Sequence, residues 1–436
     1  MSKVERIGEA TLYTGDVLEC LRQIPDESVH CIVTSPPYWG LRNYQVDGQL
    51  GLERLHDCLG WATGKPCGEC YVCHMVAVFG EARRVLRKDG TCWINLGDSY
   101  ASAPAGNTTW NHGAIFDGRD MSGHHTARKS STIVGNLKPK DLCMMPARLA
   151  LALQADGWYL RSDIIWSKPN PMPESCTDRP TKAHEYLFLL SKSPRYFYDQ
   201  QAIKEPMQDI TYWRLTQPGF EQQAGGPKDP LDGNRSERKA LNNQHEKLIA
   251  QEKWKTRLEG FKEWKKTNTG RNRRTVWTIA TQPFPEAHFA TFPEKLVEPC
   301  TLAGCPAQVC PECGAPWERV IVETSEYTAF RKHRARADFK RLDMAESGVG
   351  RVAIESPAGM PEKNRTLGFR PTCICGREDT MPGIMADIFC GAGTALLVAL
   401  RLGRRAVGIE LKPEYMDITR KRIAEEAAQA KLELHT

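Results

Sequence analysis

The segment Ser35-Pro36-Pro37-Tyr38 follows an apolar run, Val29 to Thr34, and combines the residue types of an amine-binding site. The Ser35 hydroxyl and the Pro36 carbonyl are two hydrogen-bond acceptors, and consecutive prolines hold that carbonyl in one direction. Tyr38 offers an aromatic face to a planar ring, and Trp39 extends that surface. Two acceptors aligned with the N–H bonds of an exocyclic amine would free the nitrogen lone pair for nucleophilic attack.

A second turn near the other end of the chain has the composition of a nucleotide site. Residues Asp387 to Thr394 read Asp-Ile-Phe-Cys-Gly-Ala-Gly-Thr, and glycines in such a turn let the backbone approach a ligand closely. A predicted helix, 395–402, and a predicted strand, 406–409, follow. The strand ends at Glu410, where an acidic side chain can bind ribose hydroxyls. The third glycine of a dinucleotide site is missing.

In this order the two turns resemble those of the amino-group DNA methyltransferases, the N6-adenine/N4-cytosine family, in its permuted (beta) class. The resemblance covers most of residues 8–170 and 275–425. It implies a Rossmann-like, S-adenosylmethionine-dependent methyltransferase fold with a mostly parallel sheet. It also implies methyl transfer to the exocyclic amino group of a base flipped out of duplex DNA. The catalytic residues that it implies are Ser35, Pro36, Pro37 and Tyr38.

The resemblance also implies the cofactor site. His288 to Leu296 matches the family's helix-entry segment, and Asp16 matches an acidic position near the adenine, although Asp16 could equally cap the following helix. The expected cofactor-binding residues are Asp16, Asp387, Phe389, Gly391, Gly393, Thr394, Glu410, Phe292 and Lys295. Two more strand ends, 95–100 and 165–171, either line the same cleft or support it.

The modified base and the wider function class stay open. In the family, serine at the first motif position is associated with N4 of cytosine, but N6-adenine enzymes are commoner, so adenine is favoured by a small margin. A catalytically inactive DNA-binding regulator is the remoter alternative, and the intact motifs argue against it. RNA and protein substrates are disfavoured by the long basic insertion. Cytosine-C5 chemistry is rejected because neither Pro66-Cys67 nor Pro299-Cys300 stands at a suitable strand end.

The 16 cysteines are expected to be metal ligands and buried thiols, because the polar N-terminus lacks an export signal and a bacterial or phage-encoded cytoplasmic protein is predicted. Cys310-x2-Cys313 with Cys373-x-Cys375 predicts a structural zinc site. A second site is predicted from Cys58, Cys67, Cys70 and Cys73, where zinc is preferred to an iron–sulfur cluster. Reduced thiols without metal are the alternative at both sites.

Positive charge concentrates in residues 201–280, where 16 Lys and Arg face 10 Asp and Glu; this excess equals the net charge of the whole chain, +6. Double-stranded DNA is the expected partner, and a solvated charged face is the alternative. The expected DNA-binding residues are Trp39, Lys265, Lys266, Arg271, Arg273 and Arg274. A homodimer is implied by the resemblance. The apolar face of Met75, Val78 and Phe79 lies either at that interface or, as favoured, in the core.

Hydrophobic periodicity predicts an α/β architecture with helices on both sides of the sheet. Strands are expected at 11–13, 29–34, 91–96, 159–167 and 185–191, helices at 75–86 and 149–153, and a turn at 88–90. The predicted organisation has three parts. Residues 1–200 carry the catalytic motif, a Cys-rich insertion (58–74) and a long loop (101–140). Residues 201–274 form a target-recognition region, and 275–436 hold the cofactor motif with a zinc-knuckle insertion at 305–378.

Overall fold

The computed structural model describes residues 2–53, 60–101, 137–138, 140–205, 270–282, 292–323 and 364–433. The chain divides into two compact units. The first contains residues 1–202, 274–318 and 371–436, and the second contains residues 203–273 and 319–370. Most of the predicted loop 101–140 and most of the predicted recognition region lie outside the described residues. The three-part organisation therefore stays a prediction.

The strands are β1 (Lys3–Ile7), β2 (Ala10–Thr14), β3 (Val29–Thr34), β4 (Leu86–Leu96), β5 (Tyr159–Ser167), β6 (His184–Ser191), β7 (Val276–Thr278), β8 (Trp317–Glu323), β9 (Asn364–Pro371), β10 (Ile384–Asp387) and β11 (Arg405–Glu410). The α-helices are α1 (Val17–Leu21), α2 (Gly60–Thr63), α3 (Tyr71–Val85), α4 (Met145–Ala155), α5 (Glu294–Gly304), α6 (Thr394–Arg401) and α7 (Pro413–Glu433). A 3-10 helix covers Gln200–Ile203. In the described part of the chain, no helix is both long enough and apolar enough to span a membrane.

Nine of these strands form one sheet in the order β1-β2-β11-β10-β3-β4-β6-β5-β7, and β8 pairs with β9 separately. The pairs from β2 through β11, β10 and β3 to β4 are all parallel. Antiparallel pairing occurs where β1 joins β2 and on both sides of β6. The predicted α/β fold with a mostly parallel central sheet is confirmed.

Apolar composition explains why the motif-bearing strand lies at the centre of the sheet. All six residues of β3 are buried, as expected for a strand covered by helices on both faces. Helix α3 packs on the sheet, and its Met75, Val78 and Phe79 are 0%, 1% and 0% exposed. That face is therefore core, as favoured, and does not offer a dimer interface.

The turn predicted at Lys88 to Gly90 is wrong, because β4 starts directly after α3 at Leu86. Val29 pairs with Leu86 and Cys31 pairs with Thr91, so the segment between them bulges out of a continuing strand. A Cβ on Gly90 would lie 3.0 Å from the carbonyl oxygen of His30. The glycine therefore permits a close approach between neighbouring backbones.

Candidate active site

The two signature turns leave the sheet side by side. Strands β3 and β10 are adjacent and parallel, with Met385 opposite Cys31, so both turns emerge at the same edge. Thr34, the last residue of β3, donates its hydroxyl proton to Oδ1 of Asp387 at 2.7 Å. Ligands of open α/β sheets bind at the carboxyl ends of such strands. Two segments about 350 residues apart thus meet at one site.

A cavity of ≈ 310 Å³ opens at this edge and is lined by both turns. Its volume lies at the lower end of the usual range for small-molecule sites. Eight site residues predicted from the two motifs line it: Ser35, Pro36, Pro37, Tyr38, Phe389, Gly391, Thr394 and Glu410. Asp16 and Phe292 also line it, so ten of the thirteen predicted catalytic and cofactor residues border one cavity.

A polar network holds Tyr38 in place. Its hydroxyl lies 2.7 Å from Oε2 of Glu185 and 3.0 Å from Oδ1 of Asn95. The single hydroxyl proton goes to the closer, negatively charged acceptor, because charge-assisted hydrogen bonds are the stronger ones. Burial, with the charge of Glu185, raises the pKa of Tyr38 well above its usual value, so the phenol stays neutral. Lys168 forms an ion pair with the other oxygen of Glu185.

Ser35 lies at the start of this network. Its Oγ is 3.4 Å from the Tyr38 hydroxyl, a long contact in which Ser35 donates. Tyr38 in turn donates to Glu185, so both hydroxyl protons point the same way along the cavity wall, from Ser35 toward Glu185. The Ser35 lone pairs are thereby left as acceptors toward the cavity.

The proline turn is supported from beneath by helix α3. The fully buried Tyr71 donates its hydroxyl proton to the carbonyl oxygen of Pro37 at 2.8 Å. Trp39 donates its indole N–H to the backbone oxygen of Glu53 at 2.8 Å, and it is absent from the cavity lining. Nδ1 of His74 contacts the Glu53 carboxylate at 3.0 Å. These contacts fix the backbone from which Ser35 and Tyr38 project.

The cofactor turn keeps its backbone open to the cavity at Gly391. This residue has φ +51°, and a Cβ at this position would meet no atom of the described residues within 4 Å. Its N–H donates to Oε2 of Glu410 at 2.9 Å, and burial raises the pKa of that carboxyl group. The N–H of Lys412 donates to the other carboxylate oxygen at 2.8 Å. Glu410 is therefore positioned by two backbone donors at the cavity wall.

Three predicted cofactor residues lie away from the lining. Asp387 is fully buried beneath it, where burial raises the pKa of the carboxyl group to about 7 and Oδ2 has no hydrogen-bond partner among the described residues. Gly393 has φ +75°, and its Cβ would lie 2.7 Å from Thr419, so packing explains this glycine. Lys295 is exposed on α5. Asp16 both lines the cavity and caps α1, accepting from the N–H groups of Leu18 and Glu19.

Several lining residues had no signal in the sequence. Glu185 was expected only as the beginning of a strand, and the segment 41–50 was assigned no role. Tyr44 from that segment packs edge-on against Tyr415 of α7, with ring centroids 6.2 Å apart. Lys412 lies 4.9 Å above the Tyr415 ring. Aromatic side chains at the end of β11 give the cavity a second face for a planar group.

The expected metal and DNA residues are distributed as follows. The sulfur atoms of Cys310, Cys313, Cys373 and Cys375 come together, and so do those of Cys67, Cys70 and Cys73. Cys58 lies outside the described residues.

Of the expected DNA-binding residues, Lys265 and Lys266 lie outside the described residues. Arg271 forms an ion pair with Glu205, with Nε 3.3 Å from Oε2. Arg273 is half-buried, and Arg274 is exposed with its carbonyl accepting from Trp277.

Gly97→Ala is expected to slow catalysis through Tyr38. A Cβ at Gly97 would lie 2.6 Å from the Tyr38 ring, so the ring must shift and strain its bond to Glu185. Single-turnover rates should fall on the order of tenfold, with cofactor affinity unchanged. Gly80→Ala is the matched control, since nothing lies within 4 Å of its Cβ in α3. Equal rates for the two variants would contradict this role of Gly97.

Comparison with known sequences identifies one family. A family model described as "DNA methylase", for N6 and N4 methyltransferases, matches residues 29–307 and 380–421. The Type II methyltransferase M.Cfr9I of Citrobacter freundii is 41% identical over 294 residues, which are 67% of this chain and 72% of that protein. M.SfiI of Streptomyces fimbriatus is 30% identical over 433 residues, covering 93% of this chain and 89% of that protein.

Solved structures give weaker matches. A putative DNA modification methylase from Thermus thermophilus, complexed with S-adenosyl-L-methionine, aligns with a TM-score of 0.41 at 16% identity, over 95% of this chain and 93% of that one. The cytosine-N4-specific PvuII DNA methyltransferase aligns with a TM-score of 0.42 at 15% identity, over 96% of this chain and 90% of that one.

Proposed function

We propose that this protein methylates the exocyclic amino group of one base within a short duplex DNA sequence. The basis is that the chain belongs to the N6/N4 family of DNA methylases. Membership makes the chain an S-adenosylmethionine-dependent enzyme that methylates DNA. The observation that supports the finer proposal is the single cavity bordered by Ser35, Tyr38, Gly391 and Glu410. An amine acceptor and a nucleotide-type turn in one cavity suit transfer between two bound groups.

The residues that line the cavity suit the cofactor in their chemistry. Open space above Gly391 leaves room for a ligand against the backbone, and Glu410 presents a carboxylate suited to ribose hydroxyls. Tyr44 and Tyr415 provide aromatic surface for a purine ring. S-adenosylmethionine, when bound there, supplies the electrophilic methyl group. Phe292 and Asp16 complete the wall on the sides of α5 and α1.

The amine is prepared by the proline turn. The exocyclic nitrogen of a nucleobase is a poor nucleophile because its lone pair is delocalised into the ring. Ser35 Oγ and the Pro36 carbonyl oxygen each accept a hydrogen bond from one of its two N–H groups. These two hydrogen bonds draw the nitrogen toward tetrahedral geometry. The chain of donors from Ser35 through Tyr38 to Glu185 keeps the serine lone pairs available. Tyr38 also offers its ring to a base that has been flipped out of the duplex.

Between the two bases, we favour N4 of cytosine on the identity of Ser35. A neutral hydroxyl stands where the N6-adenine enzymes of this family more often have a carboxylate, and Ser35 borders the cavity. N6 of adenine was favoured by a small margin only because N6-adenine enzymes are the commoner ones in the family. That frequency does not depend on the residues of this site. The test is to methylate DNA, digest it to nucleosides and identify the product by mass. N6-methyladenine would exclude the cytosine assignment, and unmodified nucleosides would exclude the activity.

DNA is proposed to contact the basic end of the recognition region, and the names of the relatives suggest a restriction–modification role. The variant Lys265→Ala/Lys266→Ala is expected to bind DNA more weakly regardless of its sequence. Each lost phosphate contact should flatten the log–log salt dependence by roughly 0.9. Lys3→Ala/Arg6→Ala is the charge-matched control, since these side chains are 70% and 68% exposed on the edge strand β1. Identical salt slopes for both variants would move the DNA site elsewhere.

A homodimer is also proposed, although the face at Met75, Val78 and Phe79 is buried in the core and cannot supply its interface. Light scattering of the purified protein at micromolar concentration measures its mass in solution. A fully active monomer would remove the dimer from the proposal. A bacterial or phage-encoded cytoplasmic enzyme would suit the role.

A further inference from the structure

Four cysteines from two separate turns bring their sulfur atoms together in the first compact unit. The Sγ atoms of Cys310, Cys313, Cys373 and Cys375 all lie within 4.8 Å of one another. Four thiolates around one tetrahedral zinc ion, with Zn–S bonds of about 2.3 Å, have their sulfur atoms about 3.8 Å apart. The observed spacing therefore suits one ion and is too small to enclose a multi-iron cluster.

The first turn has the backbone form of a metal-binding knuckle, and the second ends in the same way. In the first, the N–H of Gly314 donates to the Cys310 carbonyl at 2.9 Å, and the N–H of Cys310 donates to the Ala315 carbonyl at 2.8 Å. Gly314 and Gly376 each follow the second cysteine of a pair, and both have φ +69°. Only glycine adopts this conformation without strain. Two turns with the same ending thus present paired sulfur atoms to one another.

The first knuckle is anchored to the strand that carries the catalytic motif. The backbone N–H of Ile384 donates to Nδ1 of His30 at 3.0 Å, so the other ring nitrogen, Nε2, carries the proton. Nε2 donates to the carbonyl oxygen of Gly314 at 2.9 Å. Arg87 Nη1 donates to the carbonyl oxygen of Cys313 at 2.9 Å. His30 lies near the start of β3 and Ile384 begins β10, so one buried imidazole connects the knuckle to both motif strands.

We propose that Cys310, Cys313, Cys373 and Cys375 bind one structural zinc ion, and that the metal-stabilised knuckle holds β3 and β10 in register through His30. The two strands are then joined at both ends. His30 bridges them at their amino ends, and the Thr34–Asp387 hydrogen bond joins them at the edge where the two turns emerge. The backbone pairing between the two strands is short and joins Met385 with Cys31 and Ala386 with Ile32. A link outside that short ladder therefore contributes to the alignment of Ser35 with Gly391.

Elemental analysis of the full chain, purified without added metal, tests the site. Cys310→Ser/Cys313→Ser is expected to contain one equivalent of zinc less than the wild type. Cys67→Ser/Cys73→Ser, a matched pair of substitutions in the other cluster, should keep that equivalent, and Cys176→Ser should lose none. Equal zinc in the first variant and the wild type, iron in place of zinc, or disulfides between these cysteines would overturn the assignment.

A second measurement does not depend on the folding of variants at the four-cysteine site. In Cys67→Ser/Cys73→Ser protein grown with Co²⁺, visible bands of tetrahedral thiolate cobalt are expected, because the four-cysteine site remains intact. The bridging role is tested by hydrogen exchange in His30→Ala, which should keep its zinc. Exchange at the Ile384 amide should rise at least tenfold, while the amides of β5 keep their protection. Unchanged exchange at Ile384 would overturn the role of His30.

Discussion

Gly391→Asp is expected to raise the dissociation constant for S-adenosylmethionine by about 100-fold or more while the chain stays folded. A Cβ at this position enters the open cavity and meets no atom within 4 Å in the part of the chain that the structure describes, so the substitution creates no clash there. The new carboxylate would point into the volume assigned to the cofactor. It would also lie beside Glu410, whose carboxylate accepts the Gly391 N–H at 2.9 Å. Bulk and like charge therefore both oppose binding.

Controls separate these effects from backbone strain. Gly403 has φ +69°, is exposed after α6, and likewise has no atom within 4 Å of a Cβ. Gly403→Asp carries the same charge and the same strain outside the cavity, so its affinity should equal that of the wild type. Gly391→Asn separates bulk from charge and should bind with intermediate affinity. Isothermal calorimetry measures all three variants, and thermal unfolding establishes that they are folded. Wild-type affinity in folded Gly391→Asp would refute the cofactor site.

The sequence predicted the parts of this enzyme that depend on local pattern. β3 and β5 were both predicted with their observed bounds. The placement of Ser35 and Gly391 in one cavity followed from the resemblance and from the rule that ligands bind at the carboxyl ends of parallel strands. Such features are encoded in residues close together in the chain, so periodicity and turn composition suffice to find them.

Contacts between segments far apart in the chain could not be predicted from periodicity or turn composition. Glu185 reaches Tyr38 across 147 positions of sequence, and the antiparallel pairing of β6 with β4 and β5 brings it there. The Lys88 to Gly90 segment has the composition of a turn, but pairing with β3 turned it into a bulge within β4. A side chain at Gly90 would crowd both the Leu86 side chain and the His30 carbonyl, and no local pattern reveals the second of these contacts. Tertiary pairing overrode local preference at each of these places.

Ser35→Ala is expected to slow methyl transfer on the order of 10- to 1000-fold with little change in cofactor affinity. The substitution removes one of two acceptors for the amine and leaves the Pro36 carbonyl in place. It should leave the fold intact, because in the described part of the chain the Ser35 hydroxyl makes only long contacts, 3.4 Å to Tyr38 and 3.5 Å to Asn95. The loss should therefore appear in the chemical step, which single-turnover kinetics with saturating DNA and cofactor isolates.

Variants along the same network distinguish an acceptor from a packing residue. Ser28→Ala removes a hydroxyl just before the same strand, where Oγ bonds the Pro25 carbonyl at 2.7 Å, and should keep the wild-type rate. Tyr38→Phe keeps the ring but removes the acceptor of the Ser35 proton, so its rate should fall less than that of Ser35→Ala. Tyr38→Ala also removes the stacking face and should weaken capture of the flipped base by ~1–3 kcal/mol. If Ser35→Ala matched Ser28→Ala in single-turnover rate, the amine would have to be held by other groups, and the catalytic assignment of the proline turn would fail.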